Sequence, residues 1–551
     1  MAGVAGSGAL VATLLHGRTV LLWPSASWLL TAALTWAVTS GLWWLGAWKD
    51  LTPNPSPCRR GEVHRPSTWQ RWRAAAWPSL LLVPGALAAV AAYVDDGSNH
   101  LLALHAPARK QLLAYTAAMY LVGQAAFWVR NWAARRNWPS SRQALPAVAL
   151  AVAAAAYVNA ALFMHWVPPQ TDLLVNLRGA RELLAGGLPY NDHMPVWADR
   201  VHMLPVTLLV LFAPLAQLPD APARLVFFLA NQAVWLAAMG MLVRRLVAPE
   251  ARLGAYAGLL ALGATFWPWQ EAIRFGQQDG LLILLFGLSI TAALAGKPVQ
   301  SGVTLGLAFV VKPLSIWLPL VYLVHGRWRA LFVAGATAGA IIVASLPFTG
   351  LEPWLHFVRV EVPEMLPGTV RGTNIPLPSL HARLFVGRER LSDGDPAPVL
   401  GVISALNTAT NLLGLVLVAR LALRRTAHAA AREREWLLDA GIGLALTLLL
   451  APMAWQHYAS WLIIAFLVLA LPSVWQPMSL PARTAMGGCA GLGFLLLSLE
   501  DARLLRLMTS MVERWPGALS LYAVGLVCVL AALLVARFAA TAPVPAVPAD
   551  A

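Results

Sequence analysis

Six side chains in this sequence have types and settings that could do chemistry, and all six lie in or beside apolar runs. Asp172 opens the segment TDLLVNLRGARELLAGGLPYND (171–192), immediately after an apolar run from Leu145 to Val167. That run is long enough to cross a bilayer at about 20 residues per span, so the carboxylate falls where the chain should reach water. Lys312 sits inside GLAFVVKPLSIWLPL, where Pro313 loosens the helix. A cation at that depth costs about 2.5–3.5 kcal/mol on insertion scales, so it needs a partner or a task. One task is to face a phosphate; the alternatives are snorkelling and pairing with a carboxylate. Arg274 and Gln277 lie in WPWQEAIRFGQQDG between two apolar runs. The Arg274 fork suits a phosphate, or a carboxylate such as Glu271 or Asp279. His457 ends LLLAPMAWQHYASW at the edge of a span. There it could orient a hydroxyl or phosphate, or simply belong to an aromatic interfacial belt with its Trp and Tyr neighbours. Tyr190 follows Pro189 at the exit of the Asp172 segment.

The element that positions Asp172 reads as an amphipathic helix. Leu173, Leu177, Ala180 and Leu184 fall on one stripe, Arg178, Arg181 and Glu182 face away, and Gly186-Gly187 supplies a stop. A carboxylate at the membrane surface beside such a helix is well placed to act on a lipid-borne substrate. Thr171-Asp172 is also a good helix cap, and caps are common.

Around these residues the chain reads as membrane. Of its 551 residues 59% are hydrophobic and only 12% charged, about half the charged share of soluble domains. Candidate spans lie near 26–47, 77–95, 111–130, 145–167, 201–218, 223–243, 253–268, 280–296, 301–325, 329–347, 399–422, 436–453, 458–472, 484–499 and 517–538. The net charge of +15 sits mostly in short clusters between spans, such as Arg135-Arg136 and Arg424-Arg425. That is the pattern of the positive-inside rule, and no nucleic-acid motif accompanies it. Fixing 131–144 inside places the Asp172 segment outside, and fixing 423–434 inside places 348–398 and the turn at 454–457 outside. Between 201 and 326 the path is unsettled, because Arg244-Arg245 favours the inside while alternation of spans puts it outside; a re-entrant or broken helix would reconcile them. Cys58, Cys489 and Cys528 are scattered, and no zinc, Walker, GxSxG or dinucleotide motif is present. No cofactor and no metal are expected. No cleavable signal peptide and no internal repeat stand out.

Four segments together resemble glycosyltransferase family 87, the polyprenol-phosphate-mannose-dependent mannosyltransferases and related arabinosyltransferases of the GT-C architecture. They are TDLLVNLRGARELLAGGLPY, the block AIRFGQQDG…GLAFVVKPLSIWLPL…HGRWRAL, TNIPLPSLHARL and LLLAPMAWQHYASW. The resemblance implies an all-α, GT-C-like bundle of about 13–15 transmembrane helices, with an interfacial helix in an outer loop. It implies residues 1–140 as an N-terminal extension of three spans and a basic cytoplasmic linker, 145–540 as the glycosyltransferase core and 541–551 as a Pro/Ala-rich tail. It further implies a multi-pass enzyme of the cytoplasmic membrane whose site faces the periplasm or cell exterior. A hexose or pentose, most often mannose, would pass with inversion from a polyprenyl-phosphate sugar to a hydroxyl of a glycolipid or glycan acceptor. On this resemblance Asp172 is the base, and Arg274, Gln277, Lys312, His457 and Tyr190 bind donor or acceptor. Asn176 and Leu177 stand where aromatics are usual in the family, and Asp279 where Asn is usual. From the residues alone two other readings stay open: a transporter or flippase of a lipid-linked sugar or other amphiphile, and a non-catalytic membrane subunit.

Overall fold

The computed structural model describes residues 141–166, 170–190, 205–313, 316–366, 374–385, 401–424, 429–498 and 520–539. The expected extension 1–140, its three spans and linker, and the tail 541–551 lie outside these residues. Secondary structure among the described residues is helical throughout, apart from one isolated antiparallel bridge between Asn374 and Trp455. Five of these helices are long and apolar enough to cross a bilayer: Asp220–Leu246, Trp328–Thr349, Gly401–Leu423, Leu480–Leu497 and Leu521–Phe538. Shorter apolar helices, including Val206–Ala216, Asp279–Leu294 and Pro298–Val311, add to them. The chain is an all-α, polytopic membrane protein.

The chain divides into two compact units, Met1–Phe163 with Pro249–Thr265, and Met164–Ala248 with Phe266–Ala551. In the first, the described residues form the greater part of the Ser141–Trp166 helix and the Arg252–Thr265 helix. The six residues singled out above all belong to the second.

Within the second unit the sequence expectations meet two differences. The stretch expected as one span at 301–325 is two helices, Pro298–Val311 and Trp317–Val324. Lys312 ends the first in an extended conformation (φ −150°, ψ 111°) and Pro313 follows. Proline cannot continue the backbone ladder, so the helix breaks there. The 14 residues of the first piece span only ~21 Å, well short of a hydrocarbon core of about 30 Å. The other difference concerns Asp172. The helix runs Thr171–Leu184 and its cap position is Gln170, with no side-chain capping bond. Asp172 is inside the first turn rather than capping it.

That helix buries Leu173, Asn176, Leu177, Ala180 and Leu183, while Leu184 is exposed. Gly186, at φ +78°, supplies the expected stop. Arg181 latches the far end, donating to the carbonyls of Ala216 and Leu218 and pairing with Asp220 at 2.8 Å.

Pro298–Val311 lies against Trp328–Thr349 at very close range: a Cβ added at Gly302 would meet the Ala330 carbonyl at 2.4 Å, and one at Gly306 the Ala334 carbonyl at 2.5 Å. Small residues four apart let membrane helices approach backbone to backbone, where packing takes the place of a hydrophobic drive. At another point Asp439, fully buried in the Ala429–Leu450 helix, accepts from Arg537 Nε at 2.8 Å and meets His325 Nε2 at 2.9 Å. Arg537 also pairs with Glu435 and donates to the Arg424 carbonyl. Four helices, or the residues that directly follow them, are thereby tied together.

Candidate active site

The turn after the Trp267–Phe275 helix builds the site. Gly276 takes a left-handed conformation (φ +69°) and caps that helix. A Cβ there would lie 2.6 Å from the Leu173 side chain and 3.3 Å from that of Gln170, so only glycine lets the turn seat against the start of the Asp172 helix. Gln277 follows directly, and its Nε2 donates to Asp172 Oδ2. The other Asp172 oxygen accepts from the exposed Thr171 hydroxyl at 3.2 Å.

The broken helix delivers the cation. Lys312, 2% exposed, places Nζ 3.3 Å from Gln277 Oε1 and 3.7 Å from Oδ1 of the fully buried Asp279. The same Asp279 oxygen accepts from Trp461 Nε1 at 2.8 Å. Nζ lies 3.5 Å from the centre of the Tyr458 ring, on whose face a cation is favoured. At an effective dielectric of about 20, two unit charges at this distance attract by about 4 kcal/mol, comparable with the cost of bringing them in. Lys312 is thus neutralised and hydrogen bonded within the protein.

Arg274 and His457 flank this core differently. Arg274 is half-buried in the last turn of Trp267–Phe275, over the Phe275 ring, and has no carboxylate partner among the described residues. It pairs with neither Glu271 nor Asp279. His457 is buried in the Gln456–Leu462 3-10 helix, which packs on Trp267–Phe275. Its ring meets Phe275 edge-on at 6.0 Å, and its Nε2 has no hydrogen-bond partner among the described residues. One donor of full charge and one imidazole therefore both stand beside Phe275.

Tyr190 is not brought to this cluster. It is buried against His356 (ring centres 5.2 Å apart) and Phe357, near Glu361. Burial, reinforced by the Glu361 charge, pushes its phenol up.

Four participants went unassigned in the sequence: Asp279, Tyr458, Trp461 and Asn231, whose amide donates to the Gln277 carbonyl at 3.0 Å. Asn231 carried a signal, an amide side chain within the apolar stretch FFLANQAVW. Trp461 carried none, since tryptophan suits a span without further reason. Among the described residues no three His, Cys, Asp or Glu side chains gather as a metal site.

Comparison with known proteins finds similarity over part of the chain. Residues 204–452 match the model of Glycosyltransferase family 87. That matching segment carries Arg274, Gln277, Asp279 and Lys312. Asp172 lies before the segment, and His457, Tyr458 and Trp461 just after it. An Alpha-(1->3)-arabinofuranosyltransferase of Mycobacterium tuberculosis is 32% identical over 173 residues, 31% of this chain and 39% of the relative. The chain thus spans well under half of that relative's length. A Polyprenol-phosphate-mannose-dependent alpha-(1-2)-phosphatidylinositol mannoside mannosyltransferase of the same organism is 26% identical over 340 residues, 58% of this chain and 75% of the relative. No solved structure matches the chain significantly.

Proposed function

We propose that this protein is a membrane glycosyltransferase that moves a hexose or pentose, most often mannose, from a polyprenyl-phosphate sugar to an acceptor hydroxyl. The reaction takes place on the outer face of the cytoplasmic membrane, in a core spanning 145–540. The observation that carries the reading is the bond from Gln277 to Asp172, which ties a part-buried carboxylate to the polar turn directly after Arg274. The family match and the two mycobacterial relatives support the same reading.

The chemistry asks little of the protein. Asp172 takes the proton of the acceptor hydroxyl as that oxygen attacks the anomeric carbon. The bond from that carbon to the phosphate oxygen breaks, and its electron pair leaves with polyprenyl phosphate, inverting the centre. Phosphate leaves readily, so one carboxylate suffices where glycoside hydrolysis uses two. Arg274 and His457 are the groups that would meet the phosphate as its charge grows. The bilayer and the apolar spans hold the polyprenyl tail. The acceptor is a glycolipid or glycan, and neither nucleic acid nor a cofactor takes part.

Radiolabelled polyprenyl-phosphate mannose and polyprenyl-phosphate arabinofuranose, offered to the protein in nanodiscs with extracted membrane glycolipid, test the proposal. Wild type should transfer one of the two sugars, and Asp172→Asn should lose a factor of about 10²–10⁴, the usual worth of a general base. Equal transfer by both proteins would remove Asp172 from the mechanism. The helix broken at Lys312 also fits the runner-up, a transporter or flippase, since broken helices line transport sites. Movement of intact donor between leaflets, without transfer and indifferent to Asp172→Asn, would select it.

A further inference from the structure

The Gln277 amide has two ends and two different neighbours. Lys312 Nζ stands 3.3 Å from one, and Asp172 Oδ2 is bonded to the other. An ammonium has hydrogens to give and no lone pair, so the end facing Lys312 must be the carbonyl. The amide nitrogen then faces Asp172 and donates to it. Oδ2 receives that bond through a lone pair, and such a bond favours the ionised, acceptor-only form of the acid. The cation sets the direction of the amide, and the amide sets the acid.

Each partner in this chain is held from behind. Lys312 is kept in place by Asp279, which Trp461 pins at 2.8 Å, and by the Tyr458 ring. The main chain of Gln277 is fixed as well: its N–H donates to the Ala272 carbonyl at 2.8 Å, and its own carbonyl accepts from Asn231 at 3.0 Å. Backbone and side chain of Gln277 are therefore all engaged inside the protein. A side chain so occupied is suited to holding a neighbour, not to receiving a ligand.

We propose that Gln277 is a positioning residue, which holds Asp172 as an oriented proton acceptor, and that the Lys312–Asp279 pair serves to fix the direction of the Gln277 amide. This rests on Asp172 being the base. It departs from the donor- or acceptor-binding role that the family resemblance implies for Gln277 and Lys312.

Two variants test it in nanodiscs with the same labelled polyprenyl-phosphate sugars. Gln277→Met keeps the length of the side chain and removes both the donor and the acceptor. Gln277→Glu keeps an acceptor for Lys312 but sets a second carboxylate against Asp172, so the facing oxygens must share a proton. Gln277→Met should lower kcat roughly 100-fold, the scale of a misplaced reacting group. The KM for donor should stay within about threefold, as expected when ground-state binding is untouched. Gln277→Glu should be slow at neutral pH and recover as pH rises, with the acid limb of its profile displaced upward; a merely structural lesion would not move that limb. A raised KM with kcat preserved would make Gln277 a ligand contact and overturn the proposal. An inactive Asp172→Asn beside a fully active Gln277→Met would overturn the positioning role alone. A fully active Asp172→Asn would remove the base and this role with it. Cryo-electron microscopy of Gln277→Met gives a readout that needs no turnover: the Asp172 carboxylate should leave its present rotamer, and an unchanged rotamer overturns the proposal. Should Gln277→Met fail to fold, the pH profile of Gln277→Glu, which retains the Lys312 contact, carries the test: an unmoved acid limb overturns the proposal.

Discussion

Arg274 and Lys312 look alike in the sequence, as two cations in or between apolar runs that could each face a phosphate, yet their surroundings separate them. Lys312 is buried, paired with Asp279 and seated on Tyr458, whereas Arg274 is half-buried and has no carboxylate partner among the described residues. A charge that is already neutralised gains little from a phosphate, and one that is not gains much. Arg274→Ala should therefore raise the KM for the polyprenyl-phosphate donor at least tenfold, and Arg274→Lys should recover part of it as a point charge without the fork. Melting temperature should hardly move, since a half-exposed side chain away from the core contributes within about 0.5 kcal/mol. Donor titration with a parallel melt checks both halves. Asp172 was legible as an acid at the mouth of a span, but whether it capped its helix was not. That depends on the backbone at Gln170, one residue earlier than the letters suggest. The polarity of Gln277, Gln278 and Asp279 was equally plain, while the choice of Gln277 as the one to reach Asp172 follows from the left-handed turn at Gly276.

The elements were legible wherever a run is uniformly apolar and bounded, as for Asp220–Leu246 and Trp328–Thr349. The break at Lys312 was not, because one lysine hardly lowers the hydropathy of the window around it; only Pro313 marked the place. The pairing of Pro298–Val311 with Trp328–Thr349 was invisible to hydropathy altogether, since it rests on the absence of side chains at Gly302 and Gly306. Gly306→Leu should force these helices apart and cost about 1–3 kcal/mol, the usual penalty of overpacking. Lys312, at the end of the same helix, should be displaced with it, so transfer falls together with thermal stability. Gly339→Leu, on the facing helix where an added Cβ meets nothing within 4 Å, should change neither. Thermal unfolding in detergent, read beside transfer activity, distinguishes the two.

At the scale of the whole molecule, the buried network around Asp439 joins residues 325, 424, 439 and 537. The sequence showed Arg424 in a basic cluster and gave no hint that Arg537 turns inward. Asp439→Asn should leave Arg537 and His325 underpaired in a buried place and cost on the order of 3 kcal/mol. The melting temperature should fall, with kcat per folded molecule unchanged; a fall in kcat at equal folded fraction would contradict this. The candidate site is spread just as widely along the chain. Gln277 follows Asp172 by 105 residues, Lys312 follows Gln277 by 35, and Trp461 follows Asp279 by 182. In biosynthesis the acid is therefore made long before the amide and ammonium proposed to orient it, and the aromatic floor under the ammonium is made last. On the mechanism proposed above, a nascent or truncated chain carries an unaimed carboxylate and leaves lipid-linked sugar unspent until the segment bearing Trp461 has been made.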